Sequence, residues 1–178
     1  MTEAKNRIDS CAVPWANQHV TTAGAYERLR LLQQARTIAM VGLSADPMRP
    51  SHFAAIYMQS EGYDIIPVNP RLAGQTILGE TVYASLLDIP KDRKVDIVDV
   101  FRKAEDVPAV LDEAIEIGAP IFWMQLGIVN EDAAARARAA GMDVVMNRCV
   151  KIEHARFFGG LNLVGMNTGV ITSRRSIG

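Results

Sequence analysis

Cysteine is nearly absent from this sequence. Only Cys11 and Cys149 occur, too few for a disulfide framework or a thiolate zinc site, which points to a reduced, cytoplasmic protein. Long apolar runs are missing too. None approaches the roughly 20 residues that cross a bilayer, and residues 1–9 lack the apolar core of a signal peptide. An excess of either charge is also missing: 19 Lys and Arg face 20 Asp and Glu. That balance gives no general nucleic-acid surface, and Arg174-Arg175 is the one adjacent basic pair near the end. There is no internal repeat, low-complexity segment or linker.

What is present suits one domain with a real core, since 49% of the 178 residues are hydrophobic. The pattern divides into an arm over 1–20, a domain over 21–160 and a tail over 161–178. In the arm, Trp15 is expected to pack on the body. The most informative stretch is Thr37-Ile-Ala-Met-Val-Gly-Leu-Ser-Ala-Asp-Pro-Met-Arg-Pro-Ser-His-Phe53. Ile38 to Val41 reads as a buried strand, ended by Gly42. A small-residue loop follows, and Ser51 stands where a helix N-cap is expected. Strand, glycine, loop and helix start are the first unit of a nucleotide-binding βαβ fold, in which phosphate meets backbone N–H groups and the positive end of a helix dipole.

The rest of the chain alternates in the same way. A helix is expected from Thr21, capped there or at Thr22, with Tyr26, Leu29, Leu32 and Gln33 on one face. Strands are expected over 63–69, 95–101, 120–125 and 142–147. Helices are expected from Ser51 to Ser60, over 104–117 and over 131–140, with a short strand at 76–78 and one helical turn at 85–88. Beyond His154 the glycine-rich stretch 157–165 reads either as an edge strand or as a packed tail. Apolar strands alternating with helices predict an α/β, Rossmann-like, doubly wound, mostly parallel sheet in a single domain.

The nucleotide is narrowed by what the motif lacks. A dinucleotide fingerprint wants Gly-x-Gly-x-x-Gly, but Ser44 and Pro47 stand at the second and third glycine positions. An NAD site ends its second strand in Asp or Glu, whereas this one ends in Asn69-Pro70 with Arg71 next. Arg71 suits a phosphorylated ribose, either the 2′-phosphate of NADP or the 3′-phosphate of coenzyme A. No Gly-Lys-Ser/Thr is present, so a Walker A loop is excluded.

Seven segments in order resemble a known family: Val41-Gly-Leu-Ser44, Arg49-Pro50-Ser51, Val68-Asn-Pro70, the Gly79 loop with Tyr83-x-Ser85-Leu86, Val98-Asp-Val-Phe-Arg102, Trp123-Met-Gln-x-Gly127 and Asn147-Arg-Cys-x-Lys-Ile-Glu153. They are similar to the small bacterial CoA-binding proteins of the YccU-like group, whose fold is similar to the CoA-binding domain of the succinyl-CoA synthetase α-subunit. The resemblance covers about residues 25–175. It implies a Rossmann-like domain that binds coenzyme A. By position, Gly42, Leu43, Ser44, Arg49, Pro50, Ser51 and His52 would surround the diphosphate. Asn69, Pro70 and Arg71 would meet the adenosine 3′-phosphate end. Val100, Phe101 and Arg102 would line the adenine or pantetheine path, with Gln125 and Gly127 on its far side. The second, phosphohistidine-bearing domain of the synthetases has no room in this chain, and none of His19, His52 or His154 sits in a glycine-rich loop.

Each of these residues also has a plainer reading. Gly42 and Ser44 can serve a tight turn, Arg49 and Arg71 a solvated surface, and Phe101 and Trp123 the core. His52 reads as a cap or surface residue. Cys149 reads as a small buried hydrophobe, although Arg148 and Lys151 beside it could lower its thiol pKa and a bound CoA thiol could pair with it. The expectation is a coenzyme A or acyl-CoA binding protein without independent catalysis or metal, regulatory or accessory to acyl-CoA metabolism. It would be a monomer or small homo-oligomer with no nucleic-acid or membrane partner. An NADP-dependent oxidoreductase is the alternative.

Overall fold

The structure is a computed structural model that describes residues 23–158. The arm with Trp15, the Thr21 and Thr22 caps and the 161–178 tail lie outside the described residues. Five strands form one parallel sheet: β1 (Thr37–Val41), β2 (Asp64–Val68), β5 (Ile97–Val100), β6 (Ile121–Met124) and β7 (Asp143–Val145). Between β2 and β5 lies a hairpin of β3 (Thr76–Ile77) and β4 (Glu80–Thr81). Its turn places Leu78 and Gly79 at φ 53° and 83°, the left-handed pair that a two-residue hairpin needs. The helices are α1 (Ala25–Gln34), α2 (Pro50–Ser60), α3 (Val107–Glu116), α4 (Glu131–Ala139) and α5 (Val150–Phe158).

The sheet order is β2-β1-β5-β6-β7. Counted over the parallel strands alone, this is the doubly wound order 2-1-3-4-5. Strand residues alternate between two cores. Ala39, Val41, Val98, Val100, Phe122 and Met124 meet α3 and α4. Ile38, Met40, Ile97, Ile121 and Trp123 meet α1, α2 and α5. Burial on both faces is why the strands read as continuous apolar runs. Among the described residues, no helix is long and apolar enough to cross a membrane.

Several local expectations change. The helix after the first loop starts at Pro50 with Arg49 as N-cap, two residues before the Ser51 cap that the sequence suggests. Proline at the first helical position sacrifices no hydrogen bond. Ser51 is buried instead and turns its Oγ back to accept from the Ser44 N–H at 3.2 Å. In α1 the buried face is Arg28, Leu31 and Leu32, and Tyr26 is 83% exposed. Its start is Gly24, whose N–H donates to the Glu27 carboxylate at 3.2 Å. The expected 104–117 helix opens as a 3₁₀ turn over Ala104–Asp106, and α3 proper starts at Val107 with Pro108 in its first turn.

Helix α5 was not expected. Its anchor is Glu153, buried between Arg28 Nε at 2.9 Å and Arg156 Nη1 at 3.4 Å, while Arg28 also donates to the Ala23 carbonyl. This pair ties α5 to α1 on the sheet's α2 side. His154 packs in an aromatic cage, stacked on Phe158 and edge-on to Tyr57 and Tyr63. Burial lowers its pKa and raises that of Tyr63 to about 12, so both rings are neutral packing elements at pH 7. Breaking a buried ion pair from one side costs about 3–5 kcal/mol. Arg28→Ala should fall near the lower figure, because Arg156 remains beside Glu153; urea unfolding measures it. Arg28→Met with Glu153→Met should restore most of the loss.

Candidate functional site

The connections from β1 and β5 leave the sheet on opposite faces, and the crevice that opens between such strands is where doubly wound folds take ligands. Here Gly42 follows β1 and Phe101 follows β5. The Gly42 N–H donates to the Val68 carbonyl at 2.8 Å and the Phe101 N–H to the Val41 carbonyl at 2.8 Å. The strand ends are therefore stitched together up to the point of divergence. Gly42 has φ 91°, and a Cβ there would stand 2.6 Å from the Phe101 carbonyl oxygen. Only glycine fits both the backbone and the gap.

Beyond this point lies a cleft of about 730 Å³, lined by Gly42, Ser44, Arg49, Pro50, Ser51, Phe101, Gln125, Leu126, Ile128, Cys149 and Ile152. One wall holds the start of α2 and the turn ahead of α5, so two positive helix ends converge on it. The other wall is apolar, with Phe101, Leu126 and Ile128. A second hollow, of about 470 Å³, sits at the amino ends of the strands near Pro90, Val95 and Gly118, away from both helix starts.

The first loop is held by its own side chains. The Asp46 N–H donates to Ser44 Oγ at 3.1 Å, the Met48 N–H to Asp46 Oδ1 at 2.9 Å, and His52 Nδ1 to the Ser44 carbonyl at 2.8 Å. His52 thus braces the loop from behind. Arg49 is exposed at the cleft, its Nε 3.7 Å from the Asp46 carboxylate. On the far side, Asn147 at φ 57° accepts from the Gly127 N–H at 2.8 Å, and the Arg148 carbonyl accepts from Trp123 Nε1 at 2.7 Å.

Of the residues singled out in the sequence, Gly42, Ser44, Arg49, Pro50, Ser51, Phe101 and Gln125 share this cleft. Leu43 and Val100 turn their side chains into the two cores. Arg102 lays its stem beside Gly42. Asn69 donates from Nδ2 to the Leu43 carbonyl at 2.9 Å and accepts the Arg71 N–H at 3.1 Å, so it shapes the loop after β2. His52, Pro70, Arg71 and Gly127 are outside the cleft lining.

Two features of the site escaped the sequence reading. One is the apolar rim of Leu126, Ile128 and Ile152. The other is Asp99, fully buried in the middle of β5 with both carboxylate oxygens accepting from Gln125 Nε2 at 2.8 and 2.9 Å. Burial pushes its carboxyl from 3.8 up to about 8, and the Gln125 amide only partly opposes this. Its signal was an aspartate in the centre of an otherwise apolar strand, Ile97-Val98-Asp99-Val100. Cys149 is not activated: burial raises its thiol pKa, against the pull of the Ile152 and Lys151 backbone N–H groups and the Lys151 charge.

Gly42→Ala should destabilise the fold by about 3 kcal/mol, from the left-handed φ and the contact with the Phe101 carbonyl together; thermal unfolding measures it. Asp99 makes a second prediction. Its folded pKa lies above its unfolded one, so the folded state holds the extra proton between them. Its stabilising contribution is full below about pH 4 and is lost progressively up to about pH 8. The urea midpoint should show this fall in the wild type and lack it in Asp99→Asn.

Known proteins match this sequence and fold. A family model described as CoA binding domain matches residues 36–155. The Bacillus subtilis (strain 168) protein YneT is 45% identical over 125 residues, which are 70% of this chain and 90% of that protein. A Thermus thermophilus structure, cell-free ID.343, is 38% identical with a TM-score of 0.73, over 76% of this chain and all of the other. A dinucleotide-forming acetyl-coenzyme A synthetase from Ca. Korarchaeum cryptofilum shares the fold alone, at 24% identity and a TM-score of 0.58 over 67% of this chain and 27% of its own. The family match spans the strands, the loops and the cleft walls just described, and by it the chain belongs to the CoA binding domain family.

Proposed function

We propose that this protein binds coenzyme A or an acyl-CoA in the cleft at the carboxyl ends of β1, β5 and β6. The observation that carries the reading is the pairing of two helix starts with an apolar wall in one cleft of about 730 Å³. A diphosphate needs backbone donors and positive helix ends. A pantetheine arm needs an apolar track with a few polar points. The start of α2, with the Ser44 and Ser51 hydroxyls, supplies the first surface, and Phe101, Leu126 and Ile128 the second. Arg49 adds an exposed positive charge at the mouth.

Recognition is the proposed role, without chemistry of the protein's own. Two side chains near the cleft that could serve as base or nucleophile are otherwise engaged: the His52 ring braces Ser44, and burial raises the Cys149 thiol pKa. A module of this kind would report or present CoA to enzymes of acyl-CoA metabolism.

Calorimetric titration with CoA, and with NADP and NAD in parallel, tests the ligand. CoA should bind at micromolar concentration and the two dinucleotides should not; selective binding of NADP would overturn the reading. Arg49→Glu should weaken CoA binding about tenfold or more, the equivalent of one charge-assisted hydrogen bond. Because Arg49 is exposed, its melting temperature should not move.

A further inference from the structure

Asp99 has no part in the binding scheme above, yet it is a carboxyl group buried under the cleft floor. By register it stands between Met40 of β1 and Trp123 of β6. Its side-chain hydrogen-bond partner is the Gln125 amide, and Gln125 is itself a wall residue of the cleft. A carboxylate accepts only, so it requires the Nε2 end of that amide. A carboxylic acid still accepts at its carbonyl oxygen but must also place its O–H, and the Gln125 Oε1 is the acceptor end of the one side chain bonded to it. The two protonation states of Asp99 therefore favour opposite orientations of Gln125, and they leave opposite ends of the amide on the cleft side.

We propose that Asp99 is a positioning residue whose proton decides whether Gln125 offers the cleft an acceptor or a donor, so that an acceptor-rich ligand binds with uptake of one proton at Asp99. The proposal rests on the CoA reading of the cleft, because phosphate oxygens and pantetheine carbonyls are the acceptors in question. In the acid form Nε2 turns to the ligand; in the ionised form Oε1 opposes it. Burial places the exchange near pH 8.

The surroundings leave Asp99 in control. Met40 and Trp123 do not titrate. The helices over this face bring Leu31, Leu32, Ala54, Ala55 and Met58 to the core. The titratable groups of α2, His52 and Tyr57, are bonded to the Ser44 carbonyl and to His154. From α5, Glu153 is paired with Arg28 and Arg156, and Lys151 lies over the Phe53 and Tyr57 rings. Cys149, just ahead of α5, feels the Asp99 charge.

The test is calorimetric titration with acetyl-CoA, a thioester with no thiol proton of its own, across the pH units on either side of about 8. Wild-type affinity should fall by up to about tenfold per pH unit above that value, the limit for one linked proton. Buffers of different ionisation enthalpy should report the uptake directly. Asp99→Asn, whose amide donates to Oε1 as the acid does, should keep its affinity at high pH and take up no proton. Cys149→Ser, whatever its absolute affinity, should show the same fall per pH unit as the wild type. A flat wild-type profile, or the same fall in Asp99→Asn, overturns the proposal and leaves the CoA reading intact. No binding at any pH overturns both. Should Asp99→Asn fail to fold, the Asp99 carboxyl ¹³C resonance of the wild type decides: its pKa should rise when acetyl-CoA is added, and an unchanged pKa overturns the proposal.

Discussion

The contact between the end of β1 and the end of β5 governs this molecule. Two parallel strands run side by side, and their following segments then part to opposite faces. The hydrogen bond from Phe101 to the Val41 carbonyl closes the ladder at its last rung. Directly above it, Gly42 lies so close to the Phe101 carbonyl that no side chain fits between them. A bulkier residue would force the strands apart, and the loop to α2, the aim of that helix and the cleft between would all shift with it. Strand pairing, helix placement and ligand space are set by one close approach.

That approach was legible in the sequence because it has a strong local cause: an apolar strand, a glycine, a small-residue loop and a helix start. The same holds for the α/β alternation, since strands buried on both faces carry an unbroken apolar signal. Other features depend on partners far away in the chain. Helix α5 was invisible because its polar residues look solvated until Glu153 meets Arg28, 125 positions away. Ser51 looked like a cap, but the Ser44 N–H claimed its hydroxyl. Tyr26 matched the helical period of α1, yet the buried stripe runs through Arg28, a residue that periodicity counts as polar. The apolar rim of the cleft comes from three short segments that only the fold assembles.

Polar groups divide here into those that build the loops and those left for a ligand. Asn69, Asn147, His52 and Ser51 each satisfy a backbone group of a neighbouring loop. These bonds hold the rims of the cleft before any ligand arrives, which lowers the ordering cost of binding. Arg49 and the rim side chains Leu126 and Ile128 carry no such duty in the hydrogen-bond scheme.

The hairpin between β2 and β5 has an effect on how the molecule meets its own kind. β2 is an outer strand of the sheet, and an unpaired strand edge invites a neighbouring chain to add on. Here Tyr83 pairs with the end of β2, donating to the Pro67 carbonyl and accepting from the Asn69 N–H. Pro67 itself has no N–H to offer. At the opposite border, β7 is only three residues long. Among the described residues, neither border presents a long run of open backbone groups, so crowded copies find little template there for stacking into a larger sheet.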